Sequence, residues 1–200
     1  GLVKGASKGE GLGNKFLSHI RQVDAIVHVL RCFEDGDVTH VEGSVDPLRD
    51  AEIIETELVL ADLESIDKRL AGVEKKARSA DKEAQKELEL LKRIMPILNS
   101  GKPARNLNIT DPEEQKILKQ MQLITSKPNM YVCNVAEEDS LTGNKFTKLV
   151  EEKAKSENAA CVIISAKIEE EIASFDNEED KKEFLNTLGL NEAGLNRVIR

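Results

Sequence analysis

Two short polar clusters follow apolar runs of the kind that make buried strands. Met130-Tyr-Val-Cys leads into Asn134-Val-Ala-Glu137, and Ala160-Cys-Val-Ile-Ile164 leads into Ser165-Ala-Lys167. In an open parallel sheet, ligands sit beyond the carboxyl ends of the strands. A primary amide placed there offers one acceptor and one donor and can pair with the N6/N7 edge of adenine. Asn and Ser also end strands simply as turn formers, and residue type alone leaves both readings open.

Other residues with chemical potential do not assemble by spacing. Gly9-Glu-Gly11-Leu-Gly13 has the look of a dinucleotide fingerprint, but no strand precedes it and its third glycine is misplaced. No Walker A sequence occurs, so both phosphate-loop readings are excluded. These glycines are expected to form a mobile loop leading into a helix at Asn14–Val23. His19, His28 and His40 lack metal-ligand spacing, and Glu169–Glu171 with Asp176–Asp180 lacks the alternation of a calcium loop. No metal ligand is assigned in the chain. Cys32, Cys133 and Cys161 read as reduced, buried thiols of a cytosolic protein.

The elements that must position the two clusters follow from the pattern. Ala25–Phe33, Met130–Asn134 and Ala160–Ile164 are short, rich in β-branched residues and bounded by polar residues, which predicts buried parallel strands. A helical stretch near 143–157 joins the last two as a βαβ unit. Between the sheet pieces the period changes. Thr56, Val59, Leu63, Ile66, Leu70, Val73 and Ala77 form a heptad seam, and Ala84, Leu88, Leu91, Met95 and Leu98 repeat its spacing. The simplest object is an antiparallel coiled-coil hairpin with its tip at Arg78–Asp81. Pro96 should bend or end the second arm. A third helix should start at Thr110-Asp-Pro112 and run to about Ser126. The expected fold class is therefore α/β, with a discontinuous sheet domain at 1–49 and 128–200 and a helical insertion at 50–127.

Composition narrows the partners. With 200 residues and 40% apolar content the chain can bury a core without disulfides. No run is long enough for a transmembrane helix and no leader pattern is present, so a cytoplasmic protein without membrane contact is expected. The net charge is −8, which excludes a general polyanion binder. Five phenylalanines, one tyrosine and no tryptophan are too few for a base-stacking platform. Residues 62–95 carry nine Lys/Arg against eight Asp/Glu, whereas 168–187 carry eight acids against two lysines. The hairpin is the least acidic region, either an ordinary solvated coiled coil or an arm that approaches an anionic partner.

The run from Gly1 to Phe16, the strand Ala25–Phe33, Asn134–Glu137 and the run Gly189–Arg200 resemble the ribosome-binding branch of the Obg-like ATPases, within the translation-factor class of P-loop GTPases. The resemblance implies a G-domain-like P-loop NTPase fold, here incomplete, and an activity that hydrolyses ATP in preference to GTP on the ribosome. Gly1 and Leu2 then correspond to switch II, with Leu2 in the place where related GTPases carry a water-orienting glutamine. A leucine cannot hydrogen-bond water, so slow intrinsic hydrolysis is implied. Asn134, Val135 and Glu137 match a variant of the base-reading Asn-Lys-x-Asp motif, and Ser165, Ala166 and Lys167 match the third base-contacting motif. The hairpin matches the family's coiled-coil insertion. The resemblance also implies a phosphate loop and Mg²⁺ ligands upstream of Gly1 and a TGS domain downstream of Arg200, so this stretch alone should bind ATP weakly and not hydrolyse it. A monomer is expected, since the hairpin satisfies its own seam. The alternative is a non-catalytic interaction module acting through the hairpin.

Overall fold

The computed structural model describes Gly5, residues 13–34 and residues 44–199. The switch II assignments at Gly1 and Leu2, and the loop expected of the N-terminal glycines, lie outside the described residues. The chain forms two compact units. One holds the residues up to Ile26 with Glu52–Pro128, and the other holds Val27–Ala51 with Asn129 onward.

In the second unit three strands form one sheet in the order β1 (Ile26–Arg31), β2 (Asn129–Asn134), β3 (Ala160–Ile164). β2 and β3 are parallel, with Tyr131 opposite Cys161 and Cys133 opposite Ile163. Ile26 donates its N–H to Pro128 O and Cys32 donates to Asn134 O, an equal step along each strand, so β1 is parallel to β2 as well. The helix α5 (Lys145–Ser156) lies against one face, where Val150 and Ala154 pack on Leu30, Tyr131 and Cys133. The expectation of strands buried on both faces holds for central β2 only. β1 alternates, with Val27 and Val29 47% and 65% exposed, because it is covered on the α5 face alone among the described elements.

Cys32, Cys133 and Cys161 pack under α5 as free thiols, with 3.8 Å between Cys133 Sγ and Cys161 Sγ. Cys133's contact with Cys161 favours its thiolate, but its contact with Cys32 and its burial outweigh that and push it up to about 12. The Cys133 contact, reinforced by burial, raises Cys161 also. Both are inert at neutral pH. Beyond β3, α6 (Ala166–Ser174) and α7 (Glu178–Thr187) close a small core of Ile168, Ile172 and Leu185. The short α8 (Gly194–Ile199) rests on β3, its first N–H groups donating to the Glu169 carboxylate.

The first unit is helical. α2 (Pro47–Arg78) and α3 (Lys82–Asn99) form the expected hairpin, turned at Ser79–Asp81, where Asp81 caps α3 by accepting from Glu83 and Ala84 N–H. Arg69 of α2 pairs with Glu87 of α3 across the arms. Val59, Ile66 and Val73 meet Leu91 and Leu98 as the heptad spacing requires. Thr56, however, is exposed, while Leu90 and Ile94, absent from the seam, are fully buried. The reason is a third partner: α4 (Pro112–Met121) packs on α3 through Ile117 and Met121, so α3 needs a wider apolar stripe than a two-helix seam. Pro96 does not end α3, which continues to Asn99; near the last turn only one backbone bond is lost. α4 starts after Asp111, its cap, and stops at Met121, where Gln122 takes a left-handed conformation, well short of Ser126.

α1 (Gly13–Ile20) belongs to this unit and not to the sheet unit, to which composition assigns residues 1–49. Leu17 packs with Leu58, Ala61 and Ile124, and Arg21 binds Asp62 at 3.2 Å. Gly72 lies inside α2 with open space around its missing Cβ. Gly72→Ala should therefore raise the urea midpoint, stabilising by about 0.5–1 kcal/mol through reduced freedom of the unfolded chain.

Candidate functional site

The ends of the three strands converge on a cleft of about 640 Å³. Phe33 and Glu34 follow β1, Asn134 ends β2 with Val135–Glu138 beyond it, and Ser165–Lys167 with Glu170 follow β3. The two clusters singled out from the sequence are thus brought together, because parallel strands of similar length in register end side by side.

Each side chain has a defined job. Asn134 Oδ1 accepts the backbone N–H of Ala166 at 2.8 Å, so an asparagine from the neighbouring strand satisfies one of the orphan donors at the start of α6. Its Nδ2 has no partner among the described residues. Ser165 stands at the N-cap of α6, yet its Oγ makes no capping bond; it is 2% exposed and unpartnered, and it lines the cleft. An orphaned buried hydroxyl beside a cleft is a group waiting for a ligand or water. Val135 turns inward, 3% exposed among Leu30 and Tyr131, while its N–H donates to Ile164 O and locks β2 to β3. Its side chain supports the cleft from behind.

Glu137 opens a 3-10 turn through Asp139 and its carboxylate pairs with Lys167 Nζ. That bond raises the lysine's affinity for its proton. Glu34, Glu138 and Glu170 add further acceptors, so the cleft presents mainly carboxylate and amide groups. It suits a ligand with hydrogen-bond donors on its inserted edge. Among the described residues no cluster of three or more His, Cys, Asp or Glu could hold a metal ion, and no helix is long and apolar enough to cross a membrane.

Reasoning from the sequence misses Phe33, Glu34 and Asn144 as residues of the site or its surround. Phe33 closes the first apolar run, a signal that could have flagged the third strand end. Asn144 had a local signature, Gly143 followed by Asn and, three residues on, Thr147, a helix-capping pattern.

A parallel sheet with a site at its strand ends and a helical arm inserted between its pieces is a G-domain-like α/β fold. No protein-family model matches the chain. All of it is similar to the Bacillus subtilis protein named ribosome-binding ATPase YchF, at 51% identity over 55% of that protein, and to the Haemophilus influenzae protein of that name, at 50% identity over 54%. The solved Schizosaccharomyces pombe YchF GTPase superposes with a TM-score of 0.81 at 34% identity, covering 98% of this chain and 54% of that one. The chain resembles the YchF proteins from end to end and spans about half their length.

Proposed function

We propose that the protein is a nucleotide-dependent switch of the Obg-like kind, which binds and hydrolyses ATP in preference to GTP and associates with the ribosome in the cytoplasm. In this reading the cleft at the strand ends holds the base. The observation that carries it is the hydrogen bond from Ala166 N–H to Asn134 Oδ1. Guanine presents a keto oxygen at position 6 and needs a donor there; adenine presents an amino group and needs an acceptor. With the Ala166 N–H engaged, the cleft has acceptors to spare at Glu137 and a free donor at Asn134 Nδ2 for purine N7. Ser165 Oγ is available to either edge. This arrangement favours adenine.

Residues of this chain thus read the base and exclude water behind it through Val135, and Lys167 holds Glu137 in place. Leu2, by its place in the resemblance, leaves the attacking water without a side-chain partner, so hydrolysis is slow until other groups assist. Mg²⁺ would accompany the nucleotide's phosphates; among the described residues no group of three or more His, Cys, Asp or Glu is placed to hold it. For the ribosome, the names of the relatives and the exposed basic residues Lys75, Lys76 and Arg78 at the hairpin tip support contact through the arm.

The test is a competition titration of ATP against GTP on the whole protein with Mg²⁺ present. ATP should bind more tightly, and Asn134→Ala should weaken it by about 1–3 kcal/mol, the size of a lost buried polar contact. A GTP preference would overturn the base reading. Failure of either nucleotide to bind would favour the alternative, an interaction module acting through the hairpin.

A further inference from the structure

The cleft is built from three strand ends, and backbone bonding accounts for only part of its closure. Cys32 N–H reaches Asn134 O at 2.8 Å and Val135 N–H reaches Ile164 O at 2.9 Å, which fixes the strands themselves. The segments that project past them need separate restraint. These are Phe33–Glu34 after β1 and the turn Glu137–Asp139 after β2.

One side chain restrains both. Asn144 does not itself line the cleft but stands at the start of α5, shortly after the Glu137 turn and 112 residues from Cys32. Its Nδ2 donates to Cys32 O, the carbonyl leading into Phe33, and to Asp139 Oδ2, the end of the Glu137 turn, at 2.7 Å each. Its Oδ1 accepts from Phe146 and Thr147 N–H at 2.9 and 3.2 Å, and its backbone N–H donates to Thr147 Oγ1. All the hydrogen-bonding capacity of the amide is used. A ring of bonds then encloses the cleft, from Asn134 to Cys32, Asn144 and Asp139, along the turn to Glu137 and Lys167, and from Ala166 back to Asn134.

We infer that Asn144 is a positioning residue for base selection: it sets where the Glu137 carboxylate stands relative to Asn134. The inference rests on the nucleotide reading of the cleft. A helix cap alone needs only the Oδ1 acceptor. The two Nδ2 bonds are no part of the cap and go to the two cleft-bearing segments.

A shape-conserving swap in the whole protein separates the roles. Asn144→Asp keeps the cap, since a carboxylate accepts from Phe146 and Thr147 and suits a helix N-terminus. It also turns acceptors toward Cys32 O and the Asp139 carboxylate. With a fluorescent ATP analogue and its GTP counterpart, Asn144→Asp should lose roughly tenfold or more in ATP affinity while losing less for GTP, so the preference narrows. Asp139→Asn should lose less than Asn144→Asp, because an amide oxygen still accepts from Asn144. Combining Asn144→Asp with Asp139→Asn should recover part of the loss, because the amide placed at 139 can donate to the carboxylate placed at 144. Should Asn144→Asp not fold, Asn144→Ser, which caps but cannot bridge, should show the same narrowing. Wild-type affinity in a folded Asn144 variant, equal losses for both nucleotides, or no recovery in the double variant would overturn the inference while leaving the site reading intact. Absence of nucleotide binding by the wild type would remove both.

Discussion

Asp62→Asn should destabilise the helical unit by about 3 kcal/mol, read as a fall in the urea midpoint at unchanged slope. Asp62 is completely buried in α2, and each of its hydrogen-bond partners among the described residues is a donor. Ile124 N–H at 2.8 Å and Arg21 Nη1 at 3.2 Å meet Oδ1, and Thr125 N–H and Oγ1, both at 2.7 Å, meet Oδ2. Thr125 Oγ1 also accepts Ala104 N–H, so its hydroxyl proton is committed to Asp62. An asparagine offers one acceptor oxygen; its NH₂ would face donors on whichever side it lay, leaving buried N–H groups unpaired.

The pH dependence offers a second check. Burial pushes the Asp62 carboxyl above its ordinary value, and the bonds from Thr125, Ile124 and Arg21 only partly oppose this. The folded state therefore keeps this proton to higher pH than the unfolded chain. Its contribution to stability is largest below the ordinary carboxylate range and declines as pH rises through the folded value, and Asp62→Asn should abolish that decline. Glu64, exposed on the same helix and paired with Lys68, is the control: Glu64→Gln should leave the unfolding curve unmoved.

The second large effect is expected at Gly143. Its φ is +69°, and a Cβ there would overlap Thr147 Oγ1 and stand 2.9 Å from Ile163 Cδ1. Gly143→Ala combines left-handed strain with displacement of the hydroxyl that closes the Asn144 capping box, and should cost about 2–4 kcal/mol. Gly101 isolates the strain: its φ is +77° but nothing lies within 4 Å of its Cβ position. Gly101→Ala should cost only about 1 kcal/mol. Equal losses at the two positions would show that crowding at Gly143 is relieved by local movement. Thermal unfolding of the two variants decides it.

The parts of this fold that were legible share one property, a local cause. The strand positions followed from β-branched runs with polar ends, and the hairpin turn from the break between two heptad patterns. The same runs marked Asn134, Glu137, Ser165 and Lys167, because a residue just past a parallel strand must emerge at the sheet's edge. Where a second partner entered, local pattern misled. Leu90 and Ile94 are buried because α4 covers a face that a two-helix hairpin leaves open. Ser165 sits where a helix cap belongs, but Asn134 from the adjacent strand satisfies the start of α6, which leaves the serine hydroxyl free at the cleft.

By itself the sequence determined the α/β class, the helical insertion and the residue types at two strand ends, because periodicity and chain-neighbour chemistry decide those. Tertiary structure alone decided which groups remain available to a ligand. Asn134 spends its acceptor on Ala166, Asn144 spends its donors on Cys32 and Asp139, and Asp62 is spent on Thr125, Ile124 and Arg21. Most of those partners are 32 to 112 residues away along the chain. A hydrogen bond saturates its donor and acceptor, and which of two chemically suitable partners takes it depends on distance in space, which no spacing along the chain encodes.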